Sequence, residues 1–350
     1  MWQQLIGHDR PVASLRADLS ADRLAPAYLF AGPAGIGKFR TALTLAQAIN
    51  CTLVLSERSP ELAEGRSESK DGPCGECATC TRIAAGTHPD VLIIAPEKQE
   101  IRIEQVRTMQ ARLQLHALEG NVKLALIDVA EAMHPAAANA CLKILEEPPT
   151  ATHFILISAN PHRLLPTIRS RCRSVTFHPL STSMVAEWLV TRQQAAPAAA
   201  AQIAALSDGS IGFALACEPV LIAETSADLA ALCWAPTAAS VLATSERWAA
   251  DGAALPARLR CLVAALRTAL GRRLAGESAA PSPLAEIAAA LVNRPPRRLQ
   301  TLLQRTLTLA REVESTTLNK QLLCESLLFT FAGSWPSDTN VSISRPPSIT

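Results

Sequence analysis

One heptapeptide constrains this chain more than any other feature. Gly32-Pro33-Ala34-Gly35-Ile36-Gly37-Lys38 fits the pattern G-x-x-x-x-G-K. It directly follows the apolar run Tyr28–Ala31 and precedes a helical run ending near Asn50. A glycine loop between a strand and a helix lets backbone N–H groups converge on phosphate oxygens, and the helix N-terminus adds a favourable dipole. Gly32, Gly35 and Gly37 supply the turns, and Lys38 is placed to reach the β- and γ-phosphates. A strand that feeds a helix in this way belongs in a parallel sheet.

The rest of the first half agrees. Short apolar runs recur at Val91–Ile94, Leu124–Ile127 and Phe154–Ile157, with Val175–Phe177 as a candidate last strand. Each is apolar at every position, as expected of a strand covered by helices on both faces. Between them, Ile103, Val106, Met109/Gln110 and Leu113 recur at helical spacing. Leu142 and Leu145 follow an Ala-rich turn at Ala136–Ala138, and Pro148-Pro149 ends that helix. This alternation argues an α/β fold. After Pro179 the strands stop. Helices are expected over Met184–Thr191, Ala199–Leu206, Gly212–Cys217, Ala257–Leu274, Leu284–Val292, Arg297–Val313 and Leu318–Phe331. The polar stretch Ser56–Gly72 reads as an exposed insertion, and residues 333–350, rich in Ser, Pro and Thr, as a disordered tail.

Composition excludes several classes. Lys plus Arg is 33 and Asp plus Glu is 31, a net charge of +2, so bulk charge does not hold this chain on DNA. The first ten residues lack the apolar core of a secretory signal, and no stretch reaches about 18 uninterrupted apolar residues. A cytoplasmic protein with reduced thiols is expected. Ten cysteines then need reading by spacing. Cys74-x-x-Cys77-x-x-Cys80 is compact, with Gly72, Pro73 and Gly75 for turns. Three such thiolates with a fourth ligand make a tetrahedral structural Zn²⁺ site. Cys51 is the available fourth, although 22 residues intervene before Cys74. The other six sit in apolar or Ala-rich settings and read as buried small hydrophobes.

The phosphate site itself is defective. The position after the lysine wants Ser or Thr, whose hydroxyl ligates Mg²⁺, and carries Phe39. Thr41 is two residues on and faces away. Asp128 closes the run 124–127 where a carboxylate holds Mg²⁺, but Val129 stands where an acid that polarises water would come next. Glu131, three positions beyond Asp128, is expected to be a solvated loop carboxylate pointing elsewhere. Little or no intrinsic ATP hydrolysis is expected. Finally, Ile168-Arg169-Ser170-Arg171-Cys172-Arg173 comes after the last run but one. Taken alone it reads as a solvated basic patch. An arginine in such a place can also reach a neighbour's γ-phosphate.

Taken together, Ala27–Lys38, Cys74–Cys80 with Ala85–Asp90, Ala136–Pro149 (AAANACLKILEEPP) and Ser170-Arg171-Cys172 resemble the AAA+ clamp-loader family of bacterial DNA polymerase III. The resemblance is clear over about residues 1–180. It implies a RecA-like AAA+ domain over 1–178 with an embedded zinc module at about 51–80. A small helical lid over 179–218 and an all-α collar over 219–332 would come after it. It implies Cys51, Cys74, Cys77 and Cys80 as zinc ligands, Arg171 as an arginine finger acting in trans, and Ser158 at the sensor-one position. Gly212 stands where active subunits carry the lid arginine. Implied partners are gamma/tau ATPase subunits, the delta subunit and, through the complex, the sliding clamp and primer–template DNA. The lesions at Phe39, Val129 and Gly212 favour a non-hydrolysing stator over a gamma/tau-type ATPase. Polymerase (nucleotidyltransferase) chemistry would belong to the holoenzyme, since no paired-Asp site appears. A third reading, a zinc-dependent nucleic-acid binder, is weakened because Arg102, Arg107 and Arg112 form no aromatic-interleaved stripe and aromatics are only 4%.

Overall fold

A computed structural model describes residues 2–52, 72–119, 122–275, 284–315 and 319–333. The predicted insertion, apart from Gly72, and the predicted tail, apart from Gly333, lie outside the described residues. The chain divides into two compact units, Met1–Leu215 and a second beginning at Ala216.

The first unit is built on five parallel strands: β1 (Ala27–Ala31), β2 (Val91–Ile94), β3 (Lys123–Ile127), β4 (Thr152–Ser158) and β5 (Arg173–Thr176). Their order in the sheet is β2-β3-β4-β1-β5. All four apolar runs are strands, and the fifth forms two residues earlier than read. The alternation inside each run now has a physical meaning. Tyr28, Phe30, Leu124, Leu126, Ile155 and Ile157 face one core, against α1 (Asp9–Ser20) and α2 (Lys38–Asn50). Ala27, Leu29, Ala125, Ile127, Phe154 and Leu156 face the other. That side is covered by α4 (Ile103–Gln114) and α5 (Pro135–Glu146); α3 (Ala78–Ala84) packs on α2.

Ala136–Ala138 is not a turn. Pro135 stands at the first helical position, the His134 ring accepts from Ala136 N at 3.3 Å, and the alanines form the first turn of α5. Ala137 and Ala138 are buried in the core against the sheet. After β4 come the short α6 (Pro166–Arg169) and, beyond β5, α7 (Thr182–Gln193), α8 (Pro197–Leu206) and α9 (Ile211–Ala216).

The second unit is helical: α10 (Pro219–Trp234), α11 (Ala238–Ala250), α12 (Leu255–Ala275), α13 (Ala285–Val292), α14 (Pro296–Ser315) and α15 (Lys320–Ala332). Sequence periodicity does not mark helices α10 and α11. A buried arginine organises their packing. Arg258 lies within 3.5 Å of both Glu224 and Asp228 and over the Trp248 ring, whose Nε1 donates to Asp228 at 2.9 Å. No helix among the described residues is long and apolar enough to cross a membrane.

Leu126 is fully buried at the centre of β3. Leu126→Ala should cost about 2–5 kcal/mol. In urea denaturation, the transition of the sheet-containing unit should move to lower concentration with its slope unchanged.

Candidate functional site

The carboxyl ends of β1, β3 and β4 lie side by side, the place where open parallel sheets hold ligands. Register sets this up: Ala31 is opposite Ser158, and Asp128 N donates to Ile94 O at 2.8 Å at the end of β3. The glycine loop leaves β1 here. Gly35 (φ 72°) and Gly37 (φ 105°) are left-handed, a conformation that side chains resist. Gly37 directly precedes α2, so the loop passes straight into the helix N-terminus.

The loop is satisfied from within. Lys38 is 5% exposed, and its Nζ donates to Gly32 O and Pro33 O, each at 2.6 Å. Burial lowers its pKa, opposed by the charges of Glu131 and Asp128. His8, itself buried, meets the Ile36 carbonyl at 2.5 Å through Nε2 and packs edge-on against Phe177. The loop apex meets the segment 209–212. Gly212 N donates to Gly35 O at 2.8 Å, and a Cβ on Gly212 would come within 2.9 Å of Gly35 Cα. A Cβ on Gly35 would in turn collide with Ser210 Oγ. Glycine at 212 is therefore a packing requirement of this closure, and an arginine there would force the two segments apart.

Phe39 packs against the core cluster beneath α1 and α2. Thr41 is fully buried, with its hydroxyl donating to Gly37 O at 3.0 Å. Asp128 stands at the site with its pKa raised by burial, opposed by the Val129 N–H and by Lys38. Ser158 is fully buried, and its Oγ accepts from Asn160 N at 3.1 Å.

Glu131 corrects the sequence reading. It is neither solvated nor directed elsewhere: Oε1 accepts from Ala159 N at 2.9 Å and Asn160 N at 3.1 Å, and Oε2 is buried. The cause is Val129, which adopts φ 48°, ψ 50°. A left-handed β-branched residue turns the chain sharply out of β3. The short helical turn Ala130–Ala132 then swings Glu131 across the end of β4. A three-residue offset from a strand end does not reveal such a reversal.

The arginine turn adjoins the loop, with Arg169 and Ser170 lining the same cavity as Gly32 and Pro33. Arg171 is exposed, 2.5 Å from Glu146 Oε1, and donates from Nη1 to Thr167 O at 2.9 Å. Arg173 is occupied by Asp18 at 2.7 Å. Ile168 is fully buried and Cys172 packs against the core that contains Cys141, so the turn is anchored from beneath and Arg171 is left outside. Burial pushes the Cys172 thiol up to about 11 and Cys141 to about 12, which leaves both as neutral packing groups.

Cys51, Cys74, Cys77 and Cys80 come together, with all four Sγ atoms within 4.8 Å of one another. Cys51 ends α2, and Cys80 lies in α3, which packs on α2, so helix packing closes the 22-residue gap. Cys74 Sγ is 3.7 Å from Cys51 Sγ and 3.9 Å from Cys80 Sγ. A tetrahedron of metal–sulfur bonds of about 2.3 Å has edges of about 3.8 Å. Gly75 (φ 82°) makes the turn, and the backbone N–H groups of Cys77 and Cys80 donate to Cys74 and Cys77 sulfur at 3.3 and 3.4 Å. Such bonds stabilise thiolates. For Cys77, burial pushes upward, but hydrogen bonds from the Cys80 backbone, Thr52 and neighbouring thiols hold it at about 6. Burial drives Cys80 far upward. Four clustered sulfurs of this kind could bind a structural metal ion.

Over residues 7–181 the chain matches the family model described as DNA polymerase III, delta subunit. It is 37% identical over 267 residues to the Escherichia coli DNA polymerase III subunit delta′, covering 73% of this chain and 77% of that protein. The chain belongs to the DNA polymerase III delta prime family. The delta prime subunit of Pseudomonas aeruginosa is 42% identical over 189 residues, and that match spans about half of each protein, 53% of both. The tau subunit of Bacillus subtilis is more distant, at 30% over 184 residues, 53% of this chain and 30% of that one. The family-model match and the glycine loop thus share the first unit, where Glu131 is the residue that spacing did not find.

Glu131→Ala should strand the N–H groups of Ala159 and Asn160 and destabilise the first unit by about 1–3 kcal/mol. Glu131→Gln, which keeps the accepting oxygen, should recover most of that loss in the same thermal or urea titration.

Proposed function

We propose that this chain is a non-hydrolysing stator of the DNA polymerase III clamp loader. It would complete a neighbouring subunit's ATP site with Arg171 and help load the sliding clamp onto primed DNA. The observation that carries this reading is a pairing of opposites in one unit. In the chain's own phosphate loop Lys38 is bonded to two loop carbonyls and Gly212 to the Gly35 carbonyl, while Arg171 stands exposed on an anchored turn.

Hydrolysis at the chain's own site lacks three groups. Phe39 cannot ligate Mg²⁺, Val129 cannot polarise water, and Gly212 supplies no cation. A phosphate entering Gly32–Lys38 must first detach the lysine from two carbonyls. The delta prime relatives and the more distant gamma/tau relatives support membership of the loader. The ATPase neighbours would be gamma/tau subunits, with the delta subunit in the same complex and primer–template DNA engaged through it, in the cytoplasm. Within this reading, residues 1–178 form the AAA+ domain, 179–218 the lid and 219–332 the collar that joins subunits.

The four cysteines fit zinc in donor set and spacing. Zinc would tie the end of α2 to the loop before α3 as a structural element, and no chemistry is assigned to it. Cys77→Ser should abolish binding of about one zinc per chain, read by metal analysis, and lower the melting temperature. A metal-free native protein of undiminished stability would contradict the assignment.

Arg171→Ala should leave assembly of the reconstituted loader intact. At the site Arg171 completes, DNA-stimulated ATP turnover should fall by about 10³-fold or more, while other sites keep theirs. Unchanged turnover would remove the trans role.

A further inference from the structure

Helix α5 ends on an acid. A carboxylate in the last turn faces the negative end of the helix dipole, so Glu146 is badly placed for helix stability. Its position as the final helical residue is fixed by the two residues after it. Glu147 precedes Pro148, and a residue before proline is kept out of the helical region; Glu147 accordingly has φ −125°, ψ 73°. Glu146 Oε1 lies 2.5 Å from Nη2 of Arg171, while Nη1 of the same guanidinium donates to Thr167 O at 2.9 Å. The Arg171 and Glu146 side chains are 36% and 48% exposed, so their attraction adds little to folding stability.

What the contacts do supply is orientation. Two acceptors on two different nitrogens fix the plane of a rigid fork, and its remaining N–H groups stay open to a further acceptor. The base of the arrangement is also fixed, because Ile168 and Cys172 seat the turn in the core that holds Cys141 and Leu145 of α5. Carboxylate and guanidinium are thus mounted on one rigid block.

We propose that Glu146 is a positioning residue for Arg171. It holds the guanidinium so that its open edge meets the neighbour's γ-phosphate without a search among rotamers. This inference rests on the trans role of Arg171. It assigns Glu146 no contact with nucleotide.

The test uses the reconstituted loader carrying Glu146→Ala or Glu146→Gln, each alone and combined with Arg171→Ala, with assembly checked by size. The readout is kcat and KM for ATP under DNA stimulation. Glu146→Ala should remove roughly half or more of the turnover that Arg171→Ala removes, in kcat with KM unchanged. Glu146→Gln, which keeps an acceptor oxygen at the same reach, should restore most of it. With Arg171 already replaced, Glu146→Ala should change nothing further. Wild-type or raised turnover in Glu146→Ala would overturn the proposal, as would a loss that persists without Arg171. If Arg171→Ala itself turns over normally, the trans role fails and this inference with it; that arm separates the two failures.

Discussion

The first unit's site depends on one ammonium group. Lys38 Nζ is buried between the carbonyls of Gly32 and Pro33. An unpaired buried ammonium would be costly, and here it finds acceptors in its own loop together with the nearby charges of Glu131 and Asp128. That arrangement folds the loop back on itself. His8 then holds the Ile36 carbonyl on one side and Gly212 holds the Gly35 carbonyl on another, so the loop is bound to both α1's approach and the helices after β5. A loop built to present N–H groups to an anion is thereby used as a joint within the unit.

Phe39, Gly212 and Val129 have structural roles of their own. Phe39 joins the core beneath α1 and α2. Gly212 permits a backbone approach that a side chain would block. Val129 makes the left-handed turn that delivers Glu131 to the end of β4, where its carboxylate ties two strand ends together. Each of the three residues thus joins neighbouring segments of the first unit.

Most of the sheet could be read from sequence because its strands are apolar on both faces, a pattern that few other elements share. Helix α4 was legible because Val106, Met109 and Leu113 fall on one side. Helices α10 and α11 were not, since their alanines and small polar residues dilute the periodic stripe around Leu229, Leu232 and Trp248. At the site, residue types were readable and geometry was not. Spacing named Lys38, Asp128 and the four cysteines, and the family resemblance named Arg171. It could not show that α3 packs on α2 and closes the gap between Cys51 and Cys74, nor that one residue in a left-handed conformation reverses the direction of Glu131. Glu146 was visible only as part of a family motif, and its contact with Arg171 is a product of tertiary packing between α5 and the turn after α6.

The most direct test of a self-satisfied phosphate loop is nucleotide binding by the isolated full chain. A fluorescent ATP analogue would be titrated with Mg²⁺ and followed by anisotropy. With Lys38 held by two carbonyls and Gly212 on the loop apex, no saturation should appear up to roughly 1 mM, a standard binding free energy weaker than about −4 kcal/mol. Saturable, Mg²⁺-dependent binding at micromolar concentration, lost on Lys38→Ala, would show that the loop opens readily and would contradict the account.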